Sequence, residues 1–444
     1  MKPLLVLALG IAGLDLVSVH GHGAGLDVSD QARIERALPS GAPAGPLKAR
    51  RLLIFDRNTG YGGHPSIVHA NHAFRRMGET TGAYATEISQ DPEVFRPESL
   101  ARFDAVFLNN TVGNLFTDPE LRESLVEFVY RGGGLMGVHG TTVAFTQWPG
   151  AVEDWPEFAH LIGARGANHR ESTEHVFIKL DDPAHPINAV FAGAGWDYRD
   201  EFFRVHEPYS RERLRVLFSI DTVRTDLRQG RGFGRLERED DDYALAWVRG
   251  YGRGRVFYCT IAHNPYVFAD PRMLAFYLAA VQFALGDLPG SVQPSAPRPF
   301  RGPGGVETSE WVDAQAWEAR KHPFFEAVRI ASNLGQYTVG GVADQPLSEA
   351  LMAPLSPGLS ATERQAVRLA LETAGVRLVS YALPAVPSGE DAQRRLLGFA
   401  RRMGVERIVL GESTVCPDGF RERCAGFGLE LVIRSRATGT KKEE

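Results

Sequence analysis

From Arg51 onward, short runs of β-branched and aromatic residues alternate with stretches of helical periodicity. The runs RLLIF, DAVFLNN and GLMGVH are followed by helical segments over 66–78, over 118–131 and around WPEFAHLIG. Such alternation predicts a parallel sheet with helices on both faces. Further strands are predicted at 174–180, 214–220, 242–248 and 254–261, and a closing helix at 271–286. One α/β domain over 51–288 accounts for these elements.

A second unit follows a stretch dense in proline and glycine, 289–311, which is typical of a linker. Over 312–436, four helical segments alternate with the runs QYTVGGV, VRLVSYAL, ERIVLGE and LELVIRS. A closed (β/α)₈ barrel needs eight such units and about 250 residues. The pattern therefore predicts a partial TIM-barrel-like domain of about four units. An N-terminal helix and linker over 25–50 and a charged tail over 437–444 complete the chain.

The N-terminus carries an uncharged apolar run from Leu4 to Leu14, a length suited to a signal peptide and too short for a membrane span. We therefore expect residues 1–24 to be a signal peptide and the mature protein to be periplasmic or secreted. Asp15 interrupts the run and the cleavage signal is poor. A cytoplasmic protein that retains this segment is the alternative. No other stretch of the sequence is long and apolar enough to span a membrane.

The composition narrows the class of partner. The chain has 444 residues, 43% of them hydrophobic, and a formal net charge of -5. These values are typical of a soluble protein with ordinary cores, and no basic surplus indicates a nucleic-acid partner. A small-molecule ligand is expected instead. Three cysteines exclude a disulfide framework; Cys416 and Cys424 either pair with each other or stay free thiols.

The stretch GGGLMGVHG, residues 132–140, is typical of a strand that ends in a sharp turn, with His139 at its tip. In α/β proteins a turn with small residues around its tip projects one side chain above the carboxyl edge of the sheet, where ligands bind. Acyl transfer through a covalent intermediate needs a hydroxyl or a thiolate. The imidazole therefore predicts a base or a metal ligand. A histidine simply buried behind a strand is the competing interpretation.

Five polar side chains follow predicted strands or lie in loops at what should be one edge of the first sheet: His64, His139, His169, Glu201 and His263. Histidine is the usual general acid or base at neutral pH. Several imidazoles with one carboxylate also suit a divalent metal. We predict all five as catalytic residues, and His139, His169 and Glu201 as ligands of zinc or a similar cation. No compact HExxH or CxxC spacing supports the metal.

Five further residues are predicted to contact a substrate: Asn109, Asn110, Asp200, Trp148 and Trp247. Amides directly after a strand either bind ligand hydroxyls or cap the following turn. Indole faces either form platforms for sugar rings or fill a core. Both alternatives stay open for these residues.

In order and spacing, the first domain resembles the ThuA-like (trehalose-utilisation) family, whose fold is that of the flavodoxin-like class I glutamine amidotransferases. The matching stretches include LLIFD, GGHPSI, FDAVFLNNT, GGGLMGVHG, WPEFAHLIGA, LDDPAHPIN and DEFF. The resemblance implies a role in sugar catabolism, particularly of trehalose and oxidised (3-keto) glycosides, and places the five predicted catalytic residues at the family's recurrent polar positions. His139 occupies the amidotransferase nucleophile position, which disfavours glutaminase chemistry. After His169 this chain reads RESTEH, where the family often has histidine and an aromatic; His175 and Glu171 are the alternatives to them.

The second unit is similar to the start of the xylose-isomerase-like sugar isomerase/epimerase barrel, through AGVRLVSY and ARRMGVERIVL. Its fourth strand ends in IRSR, where that family often has histidine and asparagine, and later strands are absent. The resemblance therefore implies no independent isomerase activity, and a structural or interaction role is expected.

Together these features predict an exported carbohydrate-processing enzyme of hydrolase/lyase or isomerase type. It would act on a glycoside or keto-sugar related to trehalose by histidine and glutamate acid-base chemistry, alone or with a divalent metal. One alternative is a non-catalytic carbohydrate-binding module that uses the same cleft. Another is an assembly protein whose half-barrel docks on a second copy or on a partner such as a sugar oxidoreductase.

Overall fold

The computed structural model describes residues 26–146, 153–228, 238–299, 301, 321–351 and 353–434. The predicted signal peptide over 1–24, Trp148, residues 302–320 and the charged tail lie outside the described residues. No helix in the described part of the chain is long and apolar enough to cross a membrane.

A large mixed sheet forms the centre of the first unit. Its strands are β1 (Arg51–Phe55), β2 (Ala85–Ser89), β3 (Ala105–Leu108), β4 (Gly134–Val138), β6 (Glu174–Leu180), β7 (Trp196–Asp200), β9 (Arg215–Ile220), β10 (Ala244–Tyr251) and β11 (Gly254–Cys259). Their order is β2-β1-β3-β4-β11-β10-β9-β6-β7. The first five strands are parallel, and the pairs from β11 to β7 are antiparallel. This confirms the predicted α/β class and adds an antiparallel extension to the parallel part.

Helices cover both faces of this sheet. They are α1 (Val28–Ala37), α2 (Ile67–Thr81), α3 (Pro97–Leu100), α4 (Pro119–Tyr130), α5 (Pro156–Ile162) and α6 (Pro271–Leu285). Alternate residues of β1 enter different cores: Leu52 and Ile54 pack in one cluster, and Leu53 and Phe55 in the other. Side chains of a strand alternate between faces, so a strand buried on both faces reads as a continuous apolar run. The polar residues after each run are thereby left at the strand ends.

Two short strands, β5 (Arg165–Asn168) and β8 (Arg204–His206), pair antiparallel in a small second sheet. The sequence did not predict them. They place His169 just after β5, and Glu201 lies between β7 and β8. Strand β7 was not predicted either, although its alternating burial is typical of a half-buried strand. The extension therefore positions two of the predicted site residues.

The second unit is the predicted series of four β/α units. Its elements are α7 (Phe324–Asn333), β12 (Thr338–Val342), α8 (Ala361–Ala374), β13 (Arg377–Leu383), α9 (Glu390–Arg402), β14 (Arg407–Gly411), α10 (Phe420–Gly426) and β15 (Glu430–Arg434). The four strands form a parallel sheet in chain order. Ser360 and Glu363 begin α8 with a reciprocal capping box. The unit has its own apolar core.

The two units meet where α8 packs on α5. Arg368 Nε lies 2.6 Å from Glu157 Oε1, Arg249 pairs with Glu372, and the Tyr130 hydroxyl donates to Glu372 Oε1 at 3.3 Å. All five side chains are buried. We call Tyr130, Glu157, Arg249, Arg368 and Glu372 the interface network. It joins residues that lie more than one hundred positions apart in the sequence.

Candidate active site

The turn after β4 has the sharp geometry that the glycine-rich stretch predicts. His139 follows the last residue of β4, has a φ of 43° and begins a short 3₁₀ helix. A side chain at position 140 would bring its Cβ 2.8 Å from Val112 and 3.0 Å from the His64 ring. Only glycine at Gly140 lets these neighbours approach so closely. The imidazole of His139 is fully buried at this edge.

A backbone carbonyl determines which nitrogen of His139 faces the site. Nδ1 lies 2.9 Å from the carbonyl oxygen of Thr260. A carbonyl only accepts hydrogen bonds, so Nδ1 carries the hydrogen of this bond. Nε2 then faces Glu201 Oε1 at 3.3 Å and His263 Nδ1 at 3.3 Å.

Four side chains converge on one point, and we call His64, His139, Glu201 and His263 the histidine cluster. One ligand-type atom from each lies within 4.8 Å of the corresponding atoms of the others. The ring of His64 meets those of His139 and His263 edge to face, at centroid distances of 4.8 and 5.3 Å. Because the four residues come from separate loops at the carboxyl ends of strands, the sheet itself assembles them.

His169 lies beside the cluster, on the outer oxygen of the carboxylate. Its Nδ1 is 3.2 Å from Glu201 Oε2 and 2.8 Å from the carbonyl oxygen of Arg170. Phe203 packs between the rings of His139 and His169, at centroid distances of 4.8 and 5.1 Å. The structure thus brings together all five side chains predicted as catalytic; their catalytic role stays a prediction.

Burial and neighbouring charges shift the pKa values of the titratable side chains of this site in different directions. Burial raises the pKa of Glu201, but hydrogen bonds from His139 and His169 outweigh it and hold the pKa well below its ordinary value. Burial, with the charge of His139, lowers the pKa of His263 to about 4 and that of His64 well below its usual range. For His169 burial acts downward, but Glu201 outweighs it and raises the pKa. At neutral pH the Glu201 carboxylate therefore faces the neutral imidazoles of His64 and His263.

These residues fit a divalent metal. His64 Nδ1 is buried and has no hydrogen-bond partner in the described part of the chain. His139 Nε2 lies 3.3 Å from Glu201 Oε1 and 3.3 Å from His263 Nδ1, and a cation bound in place of a proton on Nε2 would be stabilised by the carboxylate. Three imidazoles and one carboxylate are a suitable donor set for zinc. The predicted metal set named His169 with His139 and Glu201. In the structure His263 lies on the same oxygen of Glu201 as His139, Oε1, at 3.4 Å, and His64 completes this group.

The two asparagines predicted to contact a substrate hold loops together in the structure, and their contact with a substrate stays a prediction. Asn109 Nδ2 donates to the carbonyl oxygen of Ile67 at 3.0 Å, and Asn110 Nδ2 donates to Ser66 Oγ and to the carbonyl oxygen of Ala262. Both side chains are fully buried. Their amides connect loops of this edge to one another rather than capping the following turn.

Trp247 and Asp200, which were also predicted to contact a substrate, are buried in the structure. The Trp247 ring is fully buried, donates to the carbonyl oxygen of Ile162 at 2.9 Å and stacks on Tyr258, so it belongs to the core. Asp200 is also fully buried and accepts hydrogen bonds from the backbone N–H groups of His263 and Asn264. Burial raises the pKa of Asp200 to about 7. Its carboxyl group holds the loop that carries His263.

Three contributors were missed from the sequence: the Thr260 carbonyl, Phe203 and Tyr61, which packs on the His64 ring at 5.1 Å. Phe203 and Tyr61 lie within three residues of predicted site residues, and this proximity was the available signal. Of the two proposed substitutes in RESTEH, His175 pairs with Asp197 at 3.2 Å with 48% of its side chain exposed. It takes no part in the histidine cluster.

The profile of the ThuA family, described as trehalose utilisation, matches residues 51–284. Among solved structures, a ThuA-like protein from Bacteroides uniformis ATCC 8492 is 18% identical, with a TM-score of 0.45, over 57% of this chain and 99% of that one. A cytoplasmic protein from Salmonella typhimurium LT2 is 12% identical, with a TM-score of 0.36, over 53% of this chain and 99% of the other. A cold-adapted β-galactosidase from Rahnella sp. R3 is 16% identical, with a TM-score of 0.34, over 55% of this chain and 32% of its own. No curated protein matches the chain.

Proposed function

The chain belongs to the ThuA trehalose-utilisation family, and on this basis we propose that it is a carbohydrate-processing enzyme. Its substrate would be a glycoside or keto-sugar related to trehalose. The observation that carries the proposal is the convergence of three imidazoles and one carboxylate within 4.8 Å at the carboxyl edge of the sheet. Ligands of open α/β sheets bind at this edge, and buried groups with shifted pKa values concentrate at functional sites.

The histidine cluster would hold a divalent cation such as Zn²⁺. When bound, such an ion polarises a carbonyl oxygen or lowers the pKa of a bound water. The residues of the chain prepare the site for it: the Thr260 carbonyl turns His139 Nε2 inward, and the loop held by Asp200 presents His263. Oriented ligands of this kind bind metal more tightly because their rotamers are already selected.

His169 is the group that we assign to proton transfer. Its imidazole is bonded to Glu201 Oε2, and 25% of the side chain is exposed, compared with none of His139. Its raised pKa keeps a proton on the ring nearer to neutral pH than in His64 or His263. A histidine that titrates near the working pH is an effective general acid or base.

The decisive experiment measures turnover of 3-keto-trehalose and methyl 3-keto-glucoside by the full chain, with and without added Zn²⁺. We expect turnover that is lost in His139→Ala and in Glu201→Gln. His175→Ala, an exposed histidine of the same unit, is the matched control and should retain it. An inactive wild-type protein, or an active His139→Ala variant, contradicts the proposal.

Export is proposed separately, from the apolar run over Leu4 to Leu14. Expression of the full chain in a Gram-negative host, followed by mass spectrometry of the periplasmic fraction, tests it. A mature N-terminus near residue 25 supports export, and an uncleaved cytoplasmic protein contradicts it.

A further inference from the structure

The way into the histidine cluster is narrow. His139 is fully buried, and His64 and Glu201 are 8% and 7% exposed. The more accessible polar side chains are His263 and His169, exposed by 16% and 25%. Tyr61, 42% exposed, lies against the ring of His64. A substrate that reaches the cluster must therefore pass these rings.

The tryptophans in the described part of the chain do not lie at this entrance. Trp155, Trp196 and Trp247 are buried in the apolar cores. Among the large hydrophobic side chains exposed in the described residues, the aromatic ones are Tyr61 and Tyr266. The Tyr266 hydroxyl donates to the carbonyl oxygen of Arg199 at 2.7 Å. Tyr61 is the exposed aromatic ring that contacts the cluster directly.

The loop that carries Tyr61 can reorient its ring while both ends stay fixed. Gly60 and Gly63 have φ values of 69° and 86°, and no other atom lies near a Cβ built at Gly62. Thr59 N–H donates to the carbonyl oxygen of Val112 at one end, and His64 is packed in the cluster at the other. Glycines on both sides of one aromatic residue permit the ring to adapt to a ligand.

We propose that Tyr61 is a substrate-binding residue whose ring stacks on the apolar C–H face of a pyranose ring and orients that sugar over the histidine cluster. The assignment rests on the proposed function, since it takes the cluster as the site of reaction. The Tyr61 ring lies against that of His64 at a centroid distance of 5.1 Å, with the planes tilted by 51°, and the residue is 42% exposed. Aromatic side chains bind amphipathic ligands through a face of the ring, because this contact buries apolar surface at a small entropic cost.

The substrate class follows from this geometry. A ligand must present an apolar ring face to Tyr61 and oxygen atoms to the cluster at the same time. Pyranosides do so, because their axial C–H groups form a face while hydroxyl or keto oxygens project from the ring edge. Open-chain polyols lack that face and should bind more weakly.

Isothermal titration of the zinc-loaded full chain with trehalose, methyl α-glucoside and sorbitol tests the assignment. We expect Tyr61→Ala to weaken binding of the two pyranosides by about tenfold, the order of one aromatic contact. Tyr61→Phe keeps the ring and should stay within about threefold of wild type. Tyr266→Ala is the matched control and should bind as wild type does. Zinc affinity should be the same in all four proteins.

Unchanged pyranoside binding in Tyr61→Ala overturns the assignment, and so does an equal loss in Tyr61→Phe, which would assign the effect to the hydroxyl group. A loss of zinc affinity in Tyr61→Ala also overturns it, because the residue would then act through the cluster. Wild-type protein that binds neither pyranoside overturns this assignment, and turnover of 3-keto-trehalose then decides the proposed function separately. Ring-dependent binding without turnover supports Tyr61 and contradicts the enzymatic proposal alone.

Discussion

The histidine cluster and the interface network are both buried groups of titratable side chains. They differ in how the charges of their members are paired with one another. In the interface network each carboxylate meets a guanidinium, Glu157 with Arg368 and Glu372 with Arg249. In the cluster one carboxylate meets imidazoles, two of which have a lowered pKa. His64 Nδ1 in the cluster and Arg368 Nη1 in the interface network both lack a hydrogen-bond partner among the described residues, so the two groups differ in their charges.

This difference separates a structural role from a functional one. A buried charge costs much free energy unless it is paired, and the interface network is nearly balanced in itself. The cluster instead brings several ligand-type atoms to one point. A cation or a substrate can bind there. Burial alone would have placed the two sets in one class; the pairing of each carboxylate with a guanidinium distinguishes the interface network.

The largest effect is expected when the interface network is broken on one side. Arg368→Met leaves Glu157 buried without its partner, and the free energy of unfolding should fall by about 3–5 kcal/mol. Urea denaturation followed by fluorescence measures it. The double variant with Glu157→Leu removes both charges and should recover most of the loss. A single variant that loses less than about 1 kcal/mol would show that the network is not stabilised as a pair.

Metal addition should act on the cluster and leave the interface unaffected. At a free Zn²⁺ concentration of about 100 times Kd, the unfolding free energy of the wild type should rise by about 2.7 kcal/mol. Glu201→Gln should lose this increment, whereas Arg368→Met should keep it on its lower baseline. The same denaturation curves, with and without a chelator, measure both. An increment in Glu201→Gln equal to that of the wild type would place the metal elsewhere.

A change beside the cluster tests how its carboxylate is oriented. His169→Ala removes the hydrogen bond to Glu201 Oε2 and should weaken zinc binding by about 10- to 100-fold, the usual effect of losing a partner behind a ligand. Competition with a chromophoric chelator gives the affinity. His175→Ala is the control. If His169→Ala binds zinc as tightly as wild type, the carboxylate is oriented without this histidine.

The smallest effect concerns a histidine near the interface. Burial and neighbouring arginines, Arg249 first among them, lower the pKa of His160 to about 4. Between pH 6.5 and 5 the unfolded chain gains a proton at this residue that the folded protein does not, so stability falls as the pH falls. After allowing for the partial exposure of His160, we expect the free energy of unfolding to fall by about 1 kcal/mol. His160→Asn should lose this part of the pH dependence; an identical slope in both proteins would contradict the assignment.

The sequence alone was sufficient for the α/β class, the four β/α units of the second part and the turn at His139. Each depends on neighbours in the chain: the alternation of apolar runs with helical periodicity, and glycines on both sides of one histidine. Polar residues that directly follow parallel strands of one sheet also lie at the same edge, the carboxyl edge. For this reason the five predicted catalytic side chains could be named before their distances were known.

Only the tertiary structure decided what each polar residue contacts. Asn109 and Asn110 follow a strand as a ligand-binding residue would, yet their amides donate to nearby loops. Trp247 could have been a platform, but strand order places it in a core. Partners such as Arg368 and Glu157 are 211 positions apart, and local periodicity carries no information on such a pair. Whether a segment forms a strand follows from its own residues. Which nitrogen of His139 faces the site depends instead on the Thr260 carbonyl, in the loop after the neighbouring strand β11.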